Sequence, residues 1–433
     1  FPVRRWDKWL DDTQTHLFVI PADGSAPARD LLSGTRLVES AGFRGAGGEG
    51  SGDNLQPEWA PDAKSIVFTA TTNFDTAAFD EPVEHFYQVE LAGGEPRALT
   101  SGAVSHANAT FTPDGRRLGF TTTAGQGKIY ALSRLAIAAW PWDGNVQPVA
   151  PSFDRSVADF AFSPDSGTIY FTAEEAGRIR VWSVPIRGGA PQVAFNAPAG
   201  VWLSPKLPRQ GAKPWLFGNW ESAVQPAETY RIDLATGERV RLTAFNVEKA
   251  ASLDWPPLRE FWFTNKVGRG IHSFLALPPA FDEAKKYPLL VLIHGGHASS
   301  WRDSITRRWK YHLLAQPGYV VLLTDYVGST GYGEKFTLDI LGDPLRGPAD
   351  DINAAADEAI RRFKFVDGSR QAAAGASYGG HLANWLEATT TRYKCLVSHA
   401  GLVSLYSQWA TSDAIYHREL MMGGPFWEKP QVW

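Results

Sequence analysis

The chain has 433 residues, 44% of them hydrophobic and 12% aromatic, which suffices for two or three packed units at roughly 150 residues each. Its net charge of −4 supplies no basic surface able to neutralise a run of phosphates, so nucleic acid is excluded as a partner. Apolar runs such as residues 289–293 and 319–323 are far shorter than the roughly 20 residues of a membrane-spanning helix, which excludes a membrane span of that kind.

The single cysteine, Cys395, cannot form an intrachain disulfide and leaves the redox compartment open. Residues 1–10 mix Arg4, Arg5 and Lys8 with aromatics and contain no apolar stretch. They read as the interior of a domain and not as a secretory signal.

Three segments, residues 59–69, 111–121 and 162–172, repeat one pattern: aromatic, any residue, Pro, Asp, three spacers, apolar, any residue, Phe, Thr. A period near 50 residues built from Pro-Asp turns and short alternating strands predicts the four-stranded blades of a β-propeller. Pro61, Pro113 and Pro164 set φ at the turn, and the Asp that follows each can cap it. Glycine turns around Gly24, Gly94, Gly144, Gly189 and Gly237 keep the same register, and the Gly-rich residues 41–54 read as a loop insertion. The spacing implies about four complete blades and one partial blade over residues 1–250, with the chain starting inside a blade.

From residue 251 the period changes. Residues 261–264 and 271–277 predict an antiparallel hairpin, 287–293 a buried strand ending in His294-Gly295-Gly296, and 319–324 a second buried strand. Residues 350–363 place Ile352, Ala355, Ala356, Ala359, Ile360 and Phe363 on one helical face. A strand at 371–375, a helix from 378 to about 390 and a strand at 395–398 follow. Strands alternating with helices predict an α/β-hydrolase type of doubly wound sheet over residues 251–433, incomplete at its C-terminal side.

Gly375-Ala376-Ser377-Tyr378-Gly379 is a G-x-S-x-G between an apolar strand and a helix. The tight turn needs small neighbours and lifts the serine oxygen above the sheet, so Ser377 is the candidate nucleophile. An oxyanion hole takes two N–H donors, expected from Tyr378 at the start of the helix and from Gly296 in the glycine loop. His294 and His297 read as loop packing. Their H-x-x-H spacing comes with neither a helix nor a carboxylate, so no metal is expected. No cofactor is expected either.

A propeller followed by an α/β-hydrolase resembles the prolyl oligopeptidase family of serine peptidases. Residues 290–296 (LVLIHGG), 328–333 (GSTGYG) and 375–381 (GASYGGH) resemble the branch holding dipeptidyl peptidase V and acylaminoacyl peptidases, and Arg4-Arg5-Trp6-Asp7 is similar to a segment within such a propeller. The chain departs from the branch at His297, where Pro usually follows His-Gly-Gly, and at Val327, where Arg commonly precedes Gly-Ser-Thr-Gly. The resemblance implies hydrolysis of short peptides from the N-terminal side through an acyl-enzyme, in a cavity screened by the propeller. It implies a substrate pocket at Tyr378, Leu402, Tyr406 and Trp409, with core packing the other reading of each, and a periplasmic or secreted location, with the cytoplasm the alternative. The competing functions are a carboxylesterase on the same serine turn and a noncatalytic propeller binding protein. Glu174-Glu175 resembles a paired-glutamate amine anchor, although a solvated turn is the favoured reading.

In α/β-hydrolases the acid and then the base follow the nucleophile on loops after two later strands. At roughly 30 residues per strand-helix unit, the residues after Ser377 do not reach both loops. Asp413 and His417 lie in one helical segment, His381 lies on the helix after Ser377, and His399 ends the neighbouring strand. The catalytic Asp and His are therefore expected beyond Trp433, in a chain truncated at both ends.

Overall fold

A computed structural model describes residues 13–46, 54–125, 127–197, 199–209, 214–413 and 415–433, together with the backbone of the short strands Arg4–Arg5 and Lys8–Trp9. Trp6 and Asp7 of the Arg4 motif, and residues 47–53 of the Gly-rich stretch, lie outside the described residues.

The front half is built of antiparallel meanders. Val104–Phe111, Arg117–Ala124, Arg134–Ala139 and Gln147–Pro148 pair in sequence order as one sheet. A five-stranded sheet precedes it, centred on Ser65–Thr71 and His85–Glu90. An eight-stranded sheet follows, whose two antiparallel runs meet only through the parallel pair Ile179↔Val201.

The Pro-Asp turns repeat in backbone as well as in sequence. Asp62, Asp114 and Asp165 each accept a backbone N–H two residues on, from Lys64, Arg116 and Gly167, at 2.9–3.0 Å. The residue between is left-handed in all three: Ala63 at φ 54°, Gly115 at 70° and Ser166 at 60°. An Asx turn thus starts the second strand of each repeat. The sheets pack face to face, with Val67 and Phe86 of one against Leu118 and Phe120 of the next, and Leu135 and Ile137 against Phe160, Phe162 and Phe171.

The back half carries a six-stranded sheet. Its strands are β1 (Arg259–Thr264), β2 (Gly270–Ala276), β3 (Tyr287–Ile293), β4 (Val320–Asp325), β5 (Val366–Ala376) and β6 (Cys395–His399), in the order β1-β2-β4-β3-β5-β6. β1 and β2 form the expected antiparallel hairpin, and β3, β4, β5 and β6 run parallel. Leu289, Val291, Ile293, Val320 and Leu322 are fully or nearly fully buried in its core, each contributing roughly 1.5–3 kcal/mol by burial.

The helix over the sheet, Arg346–Arg362, begins one turn before the apolar face read from the sequence, because Pro348 is tolerated in a first turn whose N–H groups have no helical partner. The helices Tyr378–Thr389, Leu405–Thr411 and Ile415–Met422 follow the serine. Among the described residues no helix is long and apolar enough to cross a membrane.

Candidate active site

The register of the parallel strands places the site. Ile293 at the end of β3 pairs with Gly375 near the end of β5, so the His294-Gly295-Gly296 loop emerges beside the serine turn. Ser377 takes φ 56° and ψ −120° between β5 and its helix, a conformation that costs a non-glycine residue of order 1–3 kcal/mol and that its surroundings must hold. Its N–H donates to the His399 carbonyl at 2.9 Å, and its own carbonyl accepts the His381 N–H at 3.0 Å.

The small residues are required by backbone approach. A Cβ on Gly375 would lie 2.1 Å from the Gly379 carbonyl oxygen, and one on Gly379 would lie 2.3 Å from that of Ile293. A Cβ on Gly295 would meet the Ala376 oxygen at 2.8 Å and Ser377 Cβ at 3.4 Å, so the glycine loop lies directly against the serine.

Ser377, Tyr378 and Gly296 open together on a cavity of about 570 Å³. Its opposite wall belongs to the front half, in Ala77, Glu81, Pro82 and Tyr130. His297, His381, His417 and Arg418 also line it. Burial first, then the Arg418 charge, lowers His381 and His417 to about 4 and His297 well below its ordinary value. These imidazoles are neutral at ordinary pH.

Of the residues expected to shape the substrate pocket, Leu402 lines the cavity. Tyr378 is buried, its hydroxyl donating to the Pro344 carbonyl. Tyr406 packs on Phe426 and Trp433, and Trp409 packs on Phe426 and Trp427 while its Nε1 donates to Glu419 at 3.0 Å. Tyr406 and Trp409 are not in the cavity wall.

His294 is buried, stacked 4.2 Å from the Tyr326 ring, with Nε2 2.9 Å from Ser329 Oγ. Among the described residues no group of three or more His, Cys, Asp or Glu is placed to hold a metal ion.

Where the sequence has Val327 in place of a polar side chain, the loop is held through its backbone. The Val327 N–H donates to Asp351 Oδ2 at 3.0 Å. Glu174 is not in a solvated turn. Arg302 donates to it at 2.9 and 3.2 Å and Thr330 at 2.8 Å, with Ser300 donating as well, so it ties the front half to the back. Glu175 pairs with Arg180 at 3.0 Å. The sequence carried no signal for that partnership, because more than 120 residues separate Glu174 from Arg302.

Residues 305–433 match the prolyl oligopeptidase family. The chain is 28% identical over 433 residues to dipeptidyl-peptidase 5 of Porphyromonas gingivalis, covering 99% of this chain and 61% of that protein. Its fold is similar to that of Pyrococcus horikoshii acylaminoacyl peptidase, with TM-score 0.70 at 23% identity over 87% of this chain and 57% of the other. It is also similar in fold to a Mycobacterium tuberculosis puromycin-hydrolyzing peptidase, with TM-score 0.65 at 17% identity over 97% of this chain and 74% of the other. The chain therefore has the fold of a β-propeller joined to an α/β-hydrolase, and it spans about 60% of the length of the first three curated relatives it matches.

Proposed function

We propose that the protein is a serine exopeptidase that removes short N-terminal units from peptides, of the dipeptidyl or acylaminoacyl type. The observation that carries this reading is the strained turn at Ser377, opening on a cavity whose far wall is made by propeller residues. Ser377 Oγ attacks the scissile carbonyl carbon as its proton passes to a base, and the oxyanion takes hydrogen bonds from the Gly296 and Tyr378 N–H groups. Collapse expels the amine, which takes up the proton, and water then hydrolyses the ester.

The base is not assigned to His294, which already spends its nitrogens on Tyr326 and Ser329. We also propose about four complete blades and a partial one over residues 1–250, with the peptidase unit from 251.

A fluorophosphonate probe is expected to label the intact protein at Ser377, and labelling that persists in Ser377→Ala would sink the reading. Comparing kcat/KM on dipeptidyl-nitroanilides, N-acyl-aminoacyl-nitroanilides and short-chain esters separates the peptidase from a carboxylesterase, which would prefer the esters.

A further inference from the structure

The turn between the strands Arg117–Ala124 and Arg134–Ala139 leaves the propeller and enters the back half. Ile129 packs with Leu405, Met421 and Met422 of the last helices, and the Gly127 N–H donates to the Tyr416 hydroxyl at 2.7 Å. At its tip Tyr130 has φ 59°, a left-handed conformation that costs an aromatic residue roughly 1–2 kcal/mol and persists only where contacts hold it.

Those contacts lead to the serine. The Tyr130 hydroxyl lies 2.9 Å from His297 Nδ1, and the His297 ring sits over Tyr378 with centroids 3.9 Å apart. His297 directly follows Gly295-Gly296, and the glycine loop lies against Ser377.

We propose that Tyr130 is a positioning residue: its hydroxyl fixes His297, and through His297 it holds the Gly295-Gly296 loop at the distance from Ser377 that an oxyanion requires. The proposal rests on the reading of Ser377 as nucleophile and deepens it by giving the propeller a part in the chemistry beyond screening the cavity.

The protonation states suit the role. Burial raises the Tyr130 hydroxyl above its ordinary value, so it remains a donor. Burial, then the Arg418 charge, keeps His297 neutral. A neutral imidazole and a protonated phenol make this bond with either ring nitrogen carrying the proton, so the contact holds without a charge on either group. The sequence has His297 where a stiff proline is usual in this branch, so a loop without the ring constraint is braced by a side-chain bond from the other half of the molecule.

The test uses the intact protein and two substitutions. Tyr130→Phe keeps the ring that packs on His417 and His297 but removes the hydroxyl. We expect about a tenfold loss in kcat and in the fluorophosphonate labelling rate of Ser377, with KM within about twofold and an unchanged melting temperature. His297→Pro supplies the constraint within the chain, so Tyr130→Phe in that background should change kcat by less than about twofold. An unchanged kcat and labelling rate in Tyr130→Phe overturns the proposal, as does an equal loss in both backgrounds. A wild-type protein that the probe fails to label at Ser377 instead removes the nucleophile reading on which it rests.

Discussion

At Gly296 the backbone fixes what a substitution can report. Its φ is +71°, whereas proline is locked near −65°, so Gly296→Pro would break the turn as well as delete a donor. Gly296→Ala keeps the N–H, and its Cβ meets nothing closer than Ser299 Cβ at 3.6 Å, leaving a left-handed strain of about 1 kcal/mol. If the loop relaxes away from Ser377 to relieve that strain, kcat should fall by about fivefold with KM little changed. A rise in KM alone would move Gly296 from the oxyanion hole to the binding surface. The serine turn was legible in the sequence for the same reason that it is strained: close backbone approach admits only glycine at 375 and 379, which makes the pattern visible in the residue types themselves.

Between elements, the seam depends on side chains that no local pattern marks. The Pro-Asp repeats and the glycine loop were readable because a turn is settled by the few residues within it. Glu174 lies one residue before the end of a propeller strand, and its partners Ser300, Arg302 and Thr330 lie in two loops of the hydrolase, an arrangement set by tertiary packing alone. Tyr130 and His297, 167 residues apart, were hidden in the same way, and the aromatic positions 406 and 409 could be placed in sequence but not on one side or the other of a helix pair. Burial raises the Glu174 carboxyl, but the Arg302 charge and three donors outweigh it and hold it below its ordinary value. Glu174→Ala would leave Arg302 with its partner gone, at a cost of about 2 kcal/mol once its partial exposure is allowed for. The drop should appear in the urea midpoint, and Glu174→Gln, which can still accept, should lose less. Equal stability in all three proteins would mean that the seam is held by apolar packing.

For the molecule as a whole, the proposed peptidase reading makes the cavity between the halves the filter on which substrates arrive. Peptides a few residues long should be cleaved and folded proteins left intact, since a space of about 570 Å³ does not admit a domain; rapid digestion of a folded protein would refute this gating. A second consequence of the seam is a pH dependence. His272, fully buried on β2, lies 3.1 Å from Glu260 and 3.4 Å from Asp325. Arg178 from the propeller also binds Glu260, and the Tyr332 hydroxyl donates to Asp325 at 2.5 Å. Burial alone would lower the imidazole, but the two carboxylates outweigh it and raise its pKa above 6.5, while the His272 hydrogen bond, ahead of burial, and then Arg178 hold Glu260 at about 2. A raised folded pKa means that the stabilisation from His272 is fully present below its unfolded value of 6.5 and is lost as pH rises through the folded one. In His272→Asn that contribution is gone at every pH. The gap in urea midpoint between wild type and variant should therefore be widest near pH 6 and narrow steadily toward pH 9. A gap of constant width across that range would show that His272 is neutral between its carboxylates, and that the seam is joined by Arg178 and Glu260 without it.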